Sequence, residues 1–170
     1  MDQIKIKSNL IQNSEIENDC LRRPLFNINI RLFTGNKEYR AVILNICEYM
    51  EWVFVQKYED YPKLSGLSGA NVGIPFNIIT VLKNDIVTHI LNPTIVRMSK
   101  QTRTVQSNCG SLCLTEKVSV TRREWVEVSY YNTEGKHAQT RFTIAEGGST
   151  IQHEIEHNKG ILITDTNKHL

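Results

Sequence analysis

Apolar positions recur along this chain with two different periods, and the change of period divides it into elements. Ala41, Ile43, Leu44, Ile46, Cys47, Met50 and Val53 or Phe54 fall at helical spacing. They predict a helix from Tyr39 to Tyr58, ended by Asp60-Tyr61-Pro62. Leu64 to Pro75 then packs three glycines and two serines into twelve residues, the composition of a loop or tight strand against which something approaches closely. Ile78 to Leu82 and Ile86 to Leu91 read as a hairpin turned at Lys83-Asn84-Asp85, and Asn92-Pro93 is expected to break the second strand. Thr94 to Met98, Ser119 to Thr121, Trp125 to Tyr131 and Thr140 to Ile144 are further strands, with a turn at Asn132-Thr133-Glu134-Gly135. Gly147-Gly148-Ser149 introduces a last helix, with Ser149 its expected N-cap and Lys159-Gly160 its stop. The sum is an α+β fold, with small antiparallel or mixed sheets packed around one central helix. Residues 1–170 are expected to form a single domain, with the polar first twenty loosely ordered.

Composition narrows the function classes. At 170 residues and 40% hydrophobic, the chain is long enough to bury a substantial core. Twenty basic side chains against eighteen acidic leave a net charge of +2, far from the footprint of a nucleic-acid binder. No apolar run reaches membrane-spanning length. Met1 to Ser8 has no apolar core of signal-peptide length, so a cytoplasmic location is the default expectation. There, Cys20, Cys47, Cys109 and Cys113 are expected as thiols or a metal ligand rather than disulfides.

The final helix carries the most informative residues, His153-Glu154-Ile155-Glu156-His157. Histidines four apart sit one above the other on a helix face, so both imidazoles can reach one cation. Glu154, directly after the first, is then placed to take a proton from water at that cation. An exposed polar helix turn would spell the same letters by chance. A catalytic site of this kind takes three protein ligands and leaves one position open. A third soft ligand is therefore sought elsewhere, and Cys109 is the candidate.

At Cys109 a family resemblance enters. Gly66-Leu67-Ser68-Gly69-Ala70-Asn71-Val72-Gly73 resembles the G-L-A-A-x-Q-x-G loop of peptide deformylases. Leu91-Asn92-Pro93 with Val96 is similar to their L-I-N-P strand, and Ser107 to Leu112 to their E-G-C-L-S segment. Gln152 to His157, followed by Gly160-Ile161-Leu162 and Asp165, resembles Q-H-E-x-D-H-L-x-G-x-L with its trailing aspartate, and Tyr39 to Met50 resembles the first helix. The motifs run in order from Gly66 to Asp165. Two registers compete at the cysteine. One places Cys109 at the ligand position, keeps C-x-S-L and runs without a gap to Arg122. The other aligns Gly110-Ser111-Leu112-Cys113 with G-C-L-S and puts Ser111, a poorer ligand, there.

The resemblance implies hydrolytic removal of the formyl group from the N-terminal methionine of nascent peptides, releasing formate, with an N-formyl peptide as partner, at the ribosome. It implies one divalent ion, Fe2+ in cells, with Zn2+, Ni2+ or Co2+ able to occupy the site. Cys109, His153 and His157 would be ligands and Glu154 the general base, with the Asn71 amide and the Gly110 backbone N–H as oxyanion donors. The loop at Gly66, Ser68 and Gly69 would receive the peptide, and Thr150 would help to wall its first side chain. The departures matter too. Asn71 stands for glutamine, about 1.5 Å shorter in reach, and on that count Asn71→Gln should speed the enzyme. Ser107-Asn108 replaces Glu-Gly, Gly110 replaces leucine, and the stretch Gly147 to Thr150 is smaller and more polar than the family's lining. Two rival functions follow: a deformylase-like protein that binds peptide without efficient turnover, and a hydrolase of another small N-acyl substrate. The remaining candidates read as ordinary residues: His89 in a strand, His137 in a turn, His169 at the frayed end, and Trp52 and Trp125 in core or rim packing. Cys113 reads as a small buried apolar residue, as do Cys20 and Cys47. Arg122 and Arg123 read as surface charges, one of them able to pair with an acid near the site.

Overall fold

The structure is a computed structural model that describes residues 21–60, 65–83, 86–107, 109 and 117–165. Its elements are α1 (Ile30–Gly35), α2 (Lys37–Asp60), β1 (Gly66–Ser68), a 3-10 turn (Gly69–Val72), β2 (Ile78–Lys83) and β3 (Ile86–Met98). β4 (Thr102–Ser107), β5 (Val118–Arg123), β6 (Trp125–Tyr131), β7 (His137–Thr143), a second 3-10 turn (Ile144–Glu146) and α3 (Gly148–Asn158) follow. The five-stranded sheet runs β1-β2-β3-β6-β7, antiparallel throughout, and β4 and β5 form a separate antiparallel pair.

Strand alternation decides how the helices pack. Neighbouring residues of a strand point to opposite faces, so Ile78 and its partner Leu91 join α2 residues Ile43, Cys47, Met50 and Phe54 in one core. Ile79 and its partner Ile90 face the other way, into a second core with Val126, Val128 and Phe142 and with Ile151 and Ile155 of α3. The central β2–β3 pair is thus sandwiched between the two long helices. A further small core joins β5 to the site, with Val120 and Ile163 around Cys109. Eight of the eleven residues of α3 are buried, which is the signature of a helix enclosed on nearly all sides. The expected α+β architecture around a central helix is the observed one.

Several boundaries differ from expectation. Asn92-Pro93 does not end the strand. β3 continues to Met98 with a register shift between Leu91 and Thr94, and Asn92 takes φ +53°. Its side chain bonds the Ile28 backbone at both ends, Oδ1 accepting from N at 2.8 Å and Nδ2 donating to O at 2.9 Å, so the deviation is a held bulge. Ser149 is not the N-cap of α3. Gly147 at φ +84° occupies that place, because the preceding 3-10 turn runs straight into the helix and needs a left-handed junction. The last strand is His137–Thr143, which places His137 in a strand rather than a turn and Ile144 in the 3-10 turn. Neither α1 nor β4 was signalled by periodicity. Trp52 is half exposed and stacks on Tyr49 rather than entering the core. Cys47 is buried, and burial with Glu48 and Glu51 nearby pushes its thiol up to about 12. His89 bridges Thr80 (3.0 Å) and Glu51 (3.2 Å), fastening α2 to the sheet. The expectations for residues 1–20, Ser111, Cys113 and His169 lie outside the described residues, as does that for Gly110. Among the described residues no helix is long and apolar enough to cross a membrane.

Candidate functional site

One turn of α3 stacks His153 above His157, as their spacing requires. Their Nε2 atoms face each other at 3.1 Å, and Cys109 Sγ stands 3.2 Å from His157 Nε2. All three candidate ligand atoms lie within 4.8 Å of one another, and Cys109 is 1% exposed, His153 9% and His157 0%. Burial pushes His153 well below the ordinary imidazole pKa, helped by His157 and Arg122. Burial and then Arg122 push His157 down to about 4. Both rings are therefore neutral, and their second nitrogens, Nδ1, find no partner among the described residues. Three electron-pair donors converging in a dry space repel unless a cation sits between them. An ion about 2.0–2.3 Å from each would hold its donors about 3.3–3.6 Å apart in a tetrahedron, a few tenths of an ångström wider than the His153–His157 and Cys109–His157 separations. One thiolate and two imidazoles suit a borderline-soft divalent ion such as zinc or iron(II). The residues fit the metal that the sequence motif implies.

Glu154 lies beside this cluster, 4% exposed. Burial pushes its carboxyl up to about 8, against the opposing effects of the Ser68 backbone N–H and Arg122. Gly66 packs directly against it. A Cβ there would stand 2.5 Å from Thr150 Cγ2, 2.9 Å from Glu154 Cγ and 3.1 Å from Glu154 Oε1. The absent side chain lets β1 lie directly on α3 and leaves the carboxylate its rotamer. Gly66→Ala is expected to destabilise the fold by about 1–3 kcal/mol through overpacking and to displace Glu154. The denaturation midpoint measures the first effect and turnover the second. A variant matching wild type in both would show that Thr150 swings aside freely.

The other expected site residues fall close by. Ser68 is fully buried and Asn71 is 3% exposed. Gly69 opens the 3-10 turn where a Cβ would stand 2.6 Å from the Phe76 and 3.0 Å from the Ile74 carbonyl oxygen, so its small size serves the loop's own folding. Thr150 Oγ1 and Ser65 Oγ share a hydrogen bond of 2.7 Å. Three buried polar residues to which the motifs assign no role hold the site together. Gln152 mimics a strand partner: Oε1 accepts from the Arg123 N–H at 2.9 Å, and Nε2 donates to the Arg123 and Gly148 carbonyls, both at 3.0 Å. Asn158 donates to Asn77 Oδ1 at 2.8 Å and to the Ile78 carbonyl at 3.3 Å, tying the end of α3 to β2. Arg122, expected at the surface, is 2% exposed and ion-paired with Glu156 of α3. β5 points Val120 and Arg122 to the same inner side, so the pairing with an acid near the site is the reading that the structure favours.

The sequence model of polypeptide deformylases matches residues 14–170. The chain belongs to the polypeptide deformylase family. Among curated relatives, the peptide deformylase of Chloroflexus aurantiacus is 37% identical over 76 residues, 45% of this chain and 40% of that protein. That of Desulforudis audaxviator is 35% identical over 105 residues, 59% of this chain and 64% of that protein. The matched stretch thus spans less than two thirds of each relative's length. A class I type b peptide deformylase of Acinetobacter baumannii, solved with Met-Ala-Ser bound, superposes with a TM-score of 0.76 at 20% identity, covering 92% of this chain and 96% of that one. A probable peptide deformylase from Synechococcus phage S-SSM7 gives 0.65 at 25% identity, over 86% and 93%. The deformylase fold is therefore shared well beyond the stretches that align with these two curated relatives.

Proposed function

We propose that this chain is a metal-dependent hydrolase that removes the formyl group from N-formyl peptides, releasing formate. The observation that carries the reading is the convergence of Cys109, His153 and His157 with the buried carboxyl of Glu154 alongside. A divalent ion held by the three ligands would supply Lewis acidity to the attacking water and the formyl carbonyl. Fe2+ is the proposed ion in cells, with Zn2+, Ni2+ or Co2+ able to replace it.

Glu154 takes the proton as the water's oxygen bonds to the formyl carbon, and delivers it to the departing amine as the C–N bond breaks. Water and formamide are thereby converted to formate and a free amino terminus. Donors must meet the charge that builds on the carbonyl oxygen, and the Asn71 amide and the Gly110 backbone N–H are proposed for this. Gly66, Ser68 and Gly69 would present backbone to an extended peptide, as an added strand does. Nascent chains at the ribosome, in the cytoplasm, are the proposed source of substrate. Formate release from formyl-Met-Ala-Ser by protein loaded with iron anaerobically tests the reading. Tight binding of that peptide without release would favour a binding protein instead.

The wall for the first side chain is expected to select weakly. Ser65 and Thr150 present a hydrogen-bonded hydroxyl pair beside Gly66 and Glu154, where the resembled family has apolar lining. Each lost methylene contact removes about 0.8 kcal/mol, so three or four weaken the preference for methionine by roughly a hundredfold. Measured kcat/KM for formyl-Met, formyl-norleucine, formyl-Ala and formyl-Ser tripeptides should accordingly draw together. An undiminished preference for formyl-Met would mean that other residues rebuild an apolar wall.

A further inference from the structure

Asn71 is held in a way that its shortened side chain alone does not explain. Its Oδ1 accepts from the Ser68 backbone N–H at 2.6 Å and from the Ser68 hydroxyl at 2.9 Å, in a space from which water is excluded. A backbone N–H can face only the oxygen end of an amide, so which end points toward Ser68 is fixed by chemistry. Two donors on one oxygen leave the NH2 end turned away from Ser68. β1, which carries Ser68, lies against Glu154 at Gly66, so the amide is anchored close to the reacting groups. With this anchor, Asn71→Gln gains reach only by giving up bonds from Ser68, and lengthening the side chain is not by itself an improvement.

We propose that Ser68 is a positioning residue: its hydroxyl and backbone N–H lock the Asn71 amide so that its N–H groups meet the developing oxyanion. Serine at 68 and asparagine at 71 then act as one unit, a short amide made effective by an anchor. A free asparagine side chain would spend part of its time in other rotamers, and an oxyanion donor is effective only where it is preorganised. The proposal rests on the deformylase reading of the site.

The test is a double-mutant cycle in the full-length, metal-loaded protein, with Ser68→Ala made in both the wild-type and the Asn71→Gln backgrounds. Two quantities are read: the kinetics on formyl-Met-Ala-Ser, and the Kd of a peptidyl hydroxamate, whose carbonyl oxygen occupies the oxyanion position without turning over. With asparagine at 71, Ser68→Ala is expected to lower kcat about fivefold, the worth of one neutral hydrogen bond, to leave KM unchanged and to weaken the hydroxamate by a similar factor. With glutamine at 71, Ser68→Ala is expected to change neither. Equal losses in both backgrounds would assign Ser68 a merely structural role and overturn the proposal, as would no loss in the asparagine background. Should the wild type bind hydroxamate in a Ser68-dependent manner yet release no formate, the deformylase reading fails and the anchor stands. Turnover without Ser68 dependence leaves that reading intact and removes the anchor. Failure of both turnover and hydroxamate binding overturns both.

Discussion

Glu154→Gln is expected to bind a divalent ion as the wild type does and to lose about 10²–10⁴-fold in kcat. Glutamine fills the same volume against Gly66 and Thr150, where the glutamate now packs, so the substitution tests proton transfer rather than packing. The carboxyl is 4% exposed, and Oε2 has no partner among the described residues. That is costly for a structural acid, since an unpaired buried acceptor loses the hydrogen bonds water would give it. It suits an acid whose partner is the reacting water. Replacing the carboxyl by an amide should therefore leave stability unchanged or raise it, while activity falls. Metal content, denaturation midpoint and turnover of the same sample separate these effects. Near-wild-type turnover in Glu154→Gln, with the metal in place, would show that the ion activates water unaided and that Glu154 is not the base.

That contrast between packing and chemistry also explains what the sequence could reveal. The helix periodicity of α2, the β2–β3 hairpin and the i, i+4 histidines are local patterns, and each lies where its residues predicted. The convergence of Cys109 on His157 crosses 48 positions; spacing alone could not place it, and only the ordered motifs pointed there. β4 carries no apolar alternation because five of its six residues, Thr102, Arg103, Thr104, Gln106 and Ser107, are polar, and Val105 is its one apolar side chain packed on a core. Arg122 was legible in part. Alternation along Val118, Val120 and Arg122 sends the arginine inward, and a buried guanidinium demands an acid; which acid depends on how α3 crosses β5. The amide of Gln152 is bound to Arg123 for the same tertiary reason. The Ser68–Asn71 unit spans only four residues, yet nothing in the letters links the serine to the shortened amide until the hydroxyl is seen on the amide oxygen.

Cys109→Ala is expected to abolish stoichiometric metal binding and to reduce turnover to background, although the fold should survive. The side chain is small and, among the described residues, packs on Val120, Ile163 and partly buried neighbours while its sulfur faces His157, so truncation leaves a modest void. The two imidazoles that remain are neutral and offer no charge to balance a dication, whereas the thiolate supplies both charge and the soft donor. Cys109→Ser should fare little better, because a neutral hydroxyl is a weak ligand for such an ion. Stability provides a second, independent reading: a ligand that binds only the folded state stabilises it by about 2.7 kcal/mol at one hundred times its Kd. The wild type should thus melt at a higher temperature when iron or zinc is added and lose that gain with a chelator, and Cys109→Ala should show no such response. Cobalt substitution gives a direct signature, since a thiolate ligand adds sulfur-to-metal charge-transfer absorption that the alanine variant must lack. If Cys109→Ala still held one ion per chain and kept that absorption, a different sulfur would be the third ligand. Cys113 would then be the position to replace next, and the register that places Cys109 at the metal would be wrong.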